Sequence, residues 1–118
     1  MTPEKVSFND WQKLELRVGK IIEVEEIEGA DKLFKLTVDL GSKIGKRIIC
    51  AGIKEDYSKE ELQDKKIVLF INLEPRKIRG IESQGMLLAA VNFGDDGAEK
   101  DVVLLVPEKD AGVGWKIT

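Results

Sequence analysis

Apolar side chains recur at every second position early in the chain. Leu14, Leu16, Val18, Ile22 and Val24 form one set, and Phe34, Leu36, Val38 and Leu40, separated by Lys35, Thr37 and Asp39, form another. A period of two belongs to a β-strand with one buried face and does not suit a helix. Gly19 and Lys20 interrupt the first set, and a glycine inside a long strand predicts a bulge there. Glu28-Gly29-Ala30-Asp31-Lys32 and Gly41 to Gly45 read as turns. Arg47-Ile48-Ile49-Cys50-Ala51 then gives a third strand.

Helical signals are short. Ser7 followed by Asp10 predicts a turn or two of capped helix that packs Phe8 and Trp11 inward, and Ser58-Lys59-Glu60-Glu61 carries a capping box. Ile67 to Leu73 and Met86 to Val91 are apolar on both faces, as in strands covered on each side. Asn92 to Asp101 reads as a surface loop, Val102 to Val106 as a further strand, and Val113, Trp115 and Ile117 alternate at the end. Three strands, a short helix and two more strands, with extra strands at the terminus, is the order of an all-β OB-fold. That fold is a five-stranded Greek-key barrel with its helix between strands 3 and 4. Another small antiparallel barrel is the alternative. With 118 residues and 42% hydrophobic content, residues 1–118 are expected to form one domain around one core.

Composition removes several chemistries. There is no histidine, so the commonest general base and the usual zinc ligands are absent, and no phosphate-cradling glycine loop or spaced carboxylate pair replaces them. No enzyme activity, cofactor or metal site is expected. Cys50 stands alone among Ile48, Ile49 and Ala51 and reads as a small buried hydrophobe. No apolar run approaches the length of a membrane span, and Met1-Thr2-Pro3-Glu4-Lys5 lacks a leader's apolar segment, so a soluble, cytoplasmic protein is expected. The net charge of −3 means that any polyanion must be met by a local patch.

Residues 65–80 supply such a patch, with Lys65, Lys66, Arg76, Lys77 and Arg79 against the single acid Glu74. Pro75 restrains the backbone before the basic residues and Gly80 permits a turn after them, which lowers the entropy lost on binding. Lysine meets phosphate as a point charge, whereas arginine grips it with two donors or stacks on a base. Arg17, Lys20, Lys32 and Lys35 are further candidates for this surface. The run Glu23, Glu25, Glu26 and Glu28 is expected to point away from it, and Trp11 and Trp115 to be buried in the core or in an interface.

Asp10-Trp11, Leu16-Arg17-Val18-Gly19-Lys20-Ile21, Gly29-Ala30-Asp31-Lys32-Leu33, Asn72-Leu73-Glu74-Pro75-Arg76-Lys77 and Gly80-Ile81-Glu82-Ser83-Gln84-Gly85-Met86 carry a resemblance over nearly the whole chain. Together they resemble the tRNA-binding domain of methionyl-tRNA synthetases, found at their C-terminus, as a separate beta subunit, or as a stand-alone dimeric tRNA-binding protein. The resemblance implies a noncatalytic tRNA-binding module that forms a homodimer and, as a subunit, partners the synthetase catalytic chain. It also implies that Asn72, Arg76, Lys77, Ser83, Gln84 and Met86 line the RNA-facing side, with Arg79 adding charge and Gly85 serving backbone geometry. Plain structural duty is the competing reading for Asn72, as a backbone cap, and for Met86, as core. The CsaA-type export chaperones share part of the pattern, which leaves binding of unfolded peptide as the alternative function.

Overall fold

The structure, a computed structural model, describes residues 4–118. Met1 to Pro3, on which part of the expectation about a leader falls, lie outside the described residues. The elements in chain order are α1 (Phe8–Gln12), β1 (Leu16–Ile27), β2 (Ala30–Asp39), β3 (Lys46–Ala51), α2 (Lys59–Leu62), β4 (Lys66–Phe70), β5 (Arg76–Ile78), β6 (Ile81–Ser83), β7 (Met86–Leu87), β8 (Ala89–Phe93) and β9 (Glu99–Leu104). Five antiparallel strands form the main sheet in the order β3-β2-β1-β4-β7, and the pairs β5-β6 and β8-β9 stand beside it. With α2 between β3 and β4, the all-β OB-type order is the one observed.

Alternation in β2 places Phe34, Leu36 and Val38, with Leu40 just beyond, in one buried cluster with Ile49, Leu62, Ile67 and Leu69. Each such side chain contributes about 1.5–3 kcal/mol relative to exposure. The capping box of α2 is complete, since Ser58 Oγ accepts from Glu61 N–H and Glu61 Oε1 accepts from Ser58 N–H. α1 is likewise capped by Ser7.

Several local expectations change. The bulge in β1 is at Ile22, because the register passes from Ile21↔Val38 to Glu23↔Thr37 and leaves Ile22 unpaired. That extra residue turns both Ile21 and Val24 toward the core. Gly19 serves close approach instead: a Cβ there would lie 2.5 Å from Val38 Cγ1. Leu14 precedes the strand and is exposed. Met86 to Val91 is divided between β7 and β8, and half of residues 92–101, expected as a loop, extend the β8–β9 pair on either side of a turn at Gly94 to Gly97.

The aromatic residues near the ends also differ from expectation. Phe8 is 70% exposed, Trp11 38% and Trp115 62%, so none joins the core of the single chain. Phe8 and Trp11 line a shallow cleft of about 120 Å³ together with Gln12, Leu14 and Lys116 to Thr118.

The last residues are latched to β1. Val18 N–H donates to Trp115 O at 2.9 Å, Gly114 N–H to Val18 O at 2.7 Å and Ile117 N–H to Leu16 O at 2.8 Å. β4 holds the other edge of β1 here, so the segment occupies the edge that β2 takes from Lys20 onward. Arg17 tightens the latch by donating to Gly114 O at 3.1 Å and to Glu15 Oε1 at 2.6 Å, while Glu15 also meets Lys116 at 3.3 Å.

Candidate nucleic-acid interface

The basic segment is more ordered than a loop. Arg76 to Ser83 forms a β-hairpin with the register Arg76↔Ser83, Lys77↔Glu82 and Ile78↔Ile81. Arg79 and Gly80 both have positive φ, 54° and 79°, which is the pattern of a two-residue turn whose twist suits a hairpin. Glycine adopts this freely; Arg79 does so at some cost, and its side chain is thereby aimed at the β1–β2 turn. A Cβ on Gly29 would stand 3.9 Å from Arg79 Nη1.

The hairpin root is tied to the barrel. Ser83, 6% exposed, accepts at Oγ from the Cys50 N–H at 3.0 Å. Gln84 accepts at Oε1 from the Ile48 N–H at 2.9 Å and donates its own N–H to Ile48 O at 2.8 Å. These bonds occupy the outer edge of β3 and close the sheet toward a barrel. Asn72 accepts from Glu15 N–H at 2.8 Å and donates to Lys13 O at 2.6 Å. Arg47, which sequence patterning does not single out, donates to Ile71 O at 3.0 Å and Gln84 O at 3.3 Å and so pins both ends of the segment. Its only signal is a cation beginning an apolar strand.

The seven candidate positions therefore divide. Arg76, Lys77 and Arg79 are exposed on the hairpin, and Met86 is 44% exposed beside its root rather than packed as core. Asn72, Ser83 and Gln84 spend side-chain atoms on backbone groups, which leaves the Gln84 amide NH₂ and the outer face of Asn72 to a ligand, whereas buried Ser83 is a structural residue rather than the contact expected. Gly85 is structural, since a Cβ would lie 2.7 Å from Phe70 O.

Among the described residues, the ion pairs take up several of the other candidate cations but neither the hairpin's three nor Lys20 and Lys65. Lys32 meets Glu55 at 3.8 Å, Lys35 meets Glu25 at 3.4 Å and Lys54 meets Glu26 at 2.9 Å. Lys66 meets Asp110 at 2.7 Å and Ala111 O at 2.6 Å, which withdraws it from the basic patch. Arg17 is likewise spent on Glu15. Among the described residues, no acid within 4.0 Å neutralises Arg76, Lys77 or Arg79, although Glu82 faces Lys77 across the hairpin.

On β1, Glu23 and Glu25 share a hydrogen bond that raises the first carboxyl and lowers the second, helped by Lys35. The hydrogen bond from Lys54 holds Glu26 below the usual carboxylate range. The negative run is thus partly tied up by lysines of β2 and the β3–α2 connection.

Between the hairpin root, the end of β3 and β7 to β9 lies a cleft of about 560 Å³. Cys50 is half-buried at its edge, not fully buried as expected, and burial pushes its thiol up from the ordinary value, which disfavours the nucleophilic thiolate. Among the described residues no group of acids and cysteine is placed to hold a metal ion, and no helix is long and apolar enough to cross a membrane.

Comparison with known proteins agrees with this architecture. The family described as "Putative tRNA binding domain" matches residues 16–116. A methionine–tRNA ligase of Pyrococcus horikoshii is 51% identical over 114 residues, which is 97% of this chain and 15% of that protein. One from Caldanaerobacter subterraneus is 47% identical over 113 residues, 96% of this chain and 16% of that protein. The chain spans about 15% of the length of the curated relatives it matches.

Among solved structures, a MetRS related protein from Pyrococcus horikoshii superposes with a TM-score of 0.85 at 34% identity, over 98% of this chain and 100% of that one. The chaperone CsaA of Bacillus anthracis superposes with 0.83 at 30% identity, over 98% and 100%. The family match runs from the first residue of β1 to Lys116 in the latched terminal segment, so it takes in the barrel, the hairpin and the latch together: the chain belongs to the tRNA-binding domain family.

Proposed function

We propose that this chain is a noncatalytic tRNA-binding module that holds tRNA through its shape and backbone. The supporting observation is the hairpin cation set, Arg76, Lys77 and Arg79, exposed and without ion-pair partners on an ordered β-hairpin. A preformed set of cations meets phosphates without first being ordered or stripped from carboxylates. Asn72, Gln84 and Met86 form the edge of the same surface, and buried Ser83, with the backbone bonds of Asn72 and Gln84, holds it in place. The module works in the cytoplasm, as a subunit or appended part of a methionyl-tRNA synthetase or as a free factor.

A homodimer accompanies this reading. Phe93, Val103, Leu105 and Val106 leave apolar surface exposed near the C-terminal half, and Phe8 and Trp115 do so near the ends. A two-fold pair would cover such surface and present two hairpins to one large ligand. Light scattering at micromolar concentration is expected to give twice 13.2 kDa; a single-chain mass would remove the dimer.

The similarity to CsaA chaperones supports a second reading, binding of unfolded polypeptide. Gel shift with total tRNA, run beside capture of an unfolded polypeptide, separates the two. Retardation of tRNA at low salt with no capture of polypeptide is the expected result, and the reverse would replace the reading. Copurification with a methionyl-tRNA synthetase catalytic chain distinguishes subunit from free factor.

A further inference from the structure

The cleft of about 560 Å³ has no part in holding phosphate apart from Arg76, which belongs both to it and to the hairpin. We infer that this cleft receives one unstacked nucleobase of the bound RNA and prefers a base with an exocyclic amine over uracil. The inference rests on the reading of the hairpin as an RNA contact and extends it from backbone to base.

Size, lining and charge order carry the argument. The volume lies within the range of small-molecule sites and exceeds what one aliphatic side chain fills. Leu73, Val91 and Val102 give it an aliphatic lining, and exposed Met86 stands at its edge, a soft surface for the flat face of a base. Its charged lining residues are Arg76, the carboxylate Glu74 two residues before it and the carboxylate Glu99 of β9, while Lys77 and Arg79 stand on the hairpin outside the lining. The three hairpin cations draw phosphate to the hairpin and the two carboxylates disfavour it within the cleft, so the ribose-phosphate chain stays outside while the base turns in. The Ser83 hydroxyl already accepts from the Cys50 N–H, which leaves the two carboxylates as the strong acceptors of the lining. Carboxylates accept only, and they match the amino groups of cytosine, adenine or guanine, whereas uracil presents carbonyl oxygens in their place.

The test uses the full chain and three probes, CMP, UMP and ribose 5-phosphate, with backbone amide shifts read by NMR. CMP is expected to move the amides of Gly52, Ala89 and Val91 as well as those of the hairpin, and to bind about tenfold more tightly than UMP. Ribose 5-phosphate should move the hairpin alone. Glu99→Gln, an exposed change that keeps shape, should remove most of the difference between CMP and UMP, while Arg76→Ala should weaken all three probes.

CMP shifts confined to the hairpin, or equal affinity for CMP and UMP, would overturn the inference. So would cleft shifts produced by an unfolded polypeptide and not by CMP, which would make the cleft a site for peptide side chains. A parallel gel shift separates the levels of failure. If tRNA is still retarded while CMP leaves the cleft unmoved, the base site alone fails; if tRNA is not retarded, the hairpin reading fails and takes this inference with it.

Discussion

Ser83 and Cys50 are joined across the barrel seam by a 3.0 Å hydrogen bond from the Cys50 N–H to the Ser83 hydroxyl, and the serine that accepts it is buried. A side chain from the segment before β7 thus does for β3 what a neighbouring strand's carbonyl would do. Ser83→Ala strands the donor, and an unmet buried N–H costs about 1–3 kcal/mol. Thermal or urea unfolding should show that loss, and Ser83→Thr, if its methyl fits, should recover part of it. Equal stability of wild type and Ser83→Ala would show that the seam does not depend on this bond.

Arg76→Ala and Lys77→Ala remove charge without removing a structural partner, because neither side chain makes an internal ion pair or hydrogen bond among the described residues. Both variants should unfold at the wild-type temperature and bind tRNA more weakly. Each should also flatten the plot of log affinity against log salt by about 0.7–0.9, the amount one phosphate contact contributes. Unchanged binding by both would remove the hairpin from the interface.

Arg47 acts at a distance from the ligand, through the carbonyls of Ile71 and Gln84 at the two ends of the segment. Arg47→Met keeps much of the stem and loses both bonds. The variant should retain its barrel by circular dichroism, show faster amide exchange between residues 72 and 85, and bind tRNA several-fold more weakly with an unaltered salt slope. A reduced slope would instead mean that Arg47 itself touches phosphate.

Gly19→Ala should destabilise the protein by about 1–3 kcal/mol, the usual effect of forcing extra volume into a packed site. The added methyl would meet Val38 Cγ1 at 2.5 Å and Leu40 Cδ2 at 3.1 Å. Denaturant unfolding reads the change directly. Pairing it with Val38→Ala should restore part of the loss, since the clash is with that side chain; strictly additive losses would place the strain elsewhere.

Glu15 gives the latch a pH dependence. Its carboxyl is held below the usual range, first by the hydrogen bond from Arg17 and then by Lys116. Asp110 is lowered in the same way by Lys66. A carboxyl depressed by folding stabilises the native state above its unfolded value, and that contribution is lost as the pH falls through the depressed folded value. The latch should therefore hold at neutral pH and loosen only in acid below the ordinary carboxylate range. NMR shifts of the Val18 and Ile117 amides should report this transition, and Glu15→Gln should abolish the part due to Glu15.

Sequence periodicity reveals the barrel best where burial is one-sided. Phe34 to Leu40 alternates without interruption because β2 packs one face on the core along its length. The Ser58 capping box is equally local and equally plain. The β5–β6 hairpin escapes such reading because its turn is Arg79-Gly80 rather than an Asn-Gly or Asp-Gly pair, and its strands are three residues each. The bulge at Ile22 is hidden because Ile21 and Ile22 are both apolar, so neither phase of alternation looks broken. Phe8, Trp11 and Trp115 mislead because an apolar side chain does not say whether its cover comes from its own chain. At the interface, charge is visible in sequence, whereas the backbone duties of Asn72, Ser83, Gln84 and Arg47 depend on contacts dozens of residues away.

Helix α1 and the final residues Lys116 to Thr118 border the same shallow cleft. Helix α1 and residues 116–118 are therefore neighbours, and a linker joined through either one would start from nearly the same anchor. Grafting this domain before or behind another polypeptide would leave the sphere swept by its hairpin centred on almost the same place, so the order of fusion would matter less than the length of the tether.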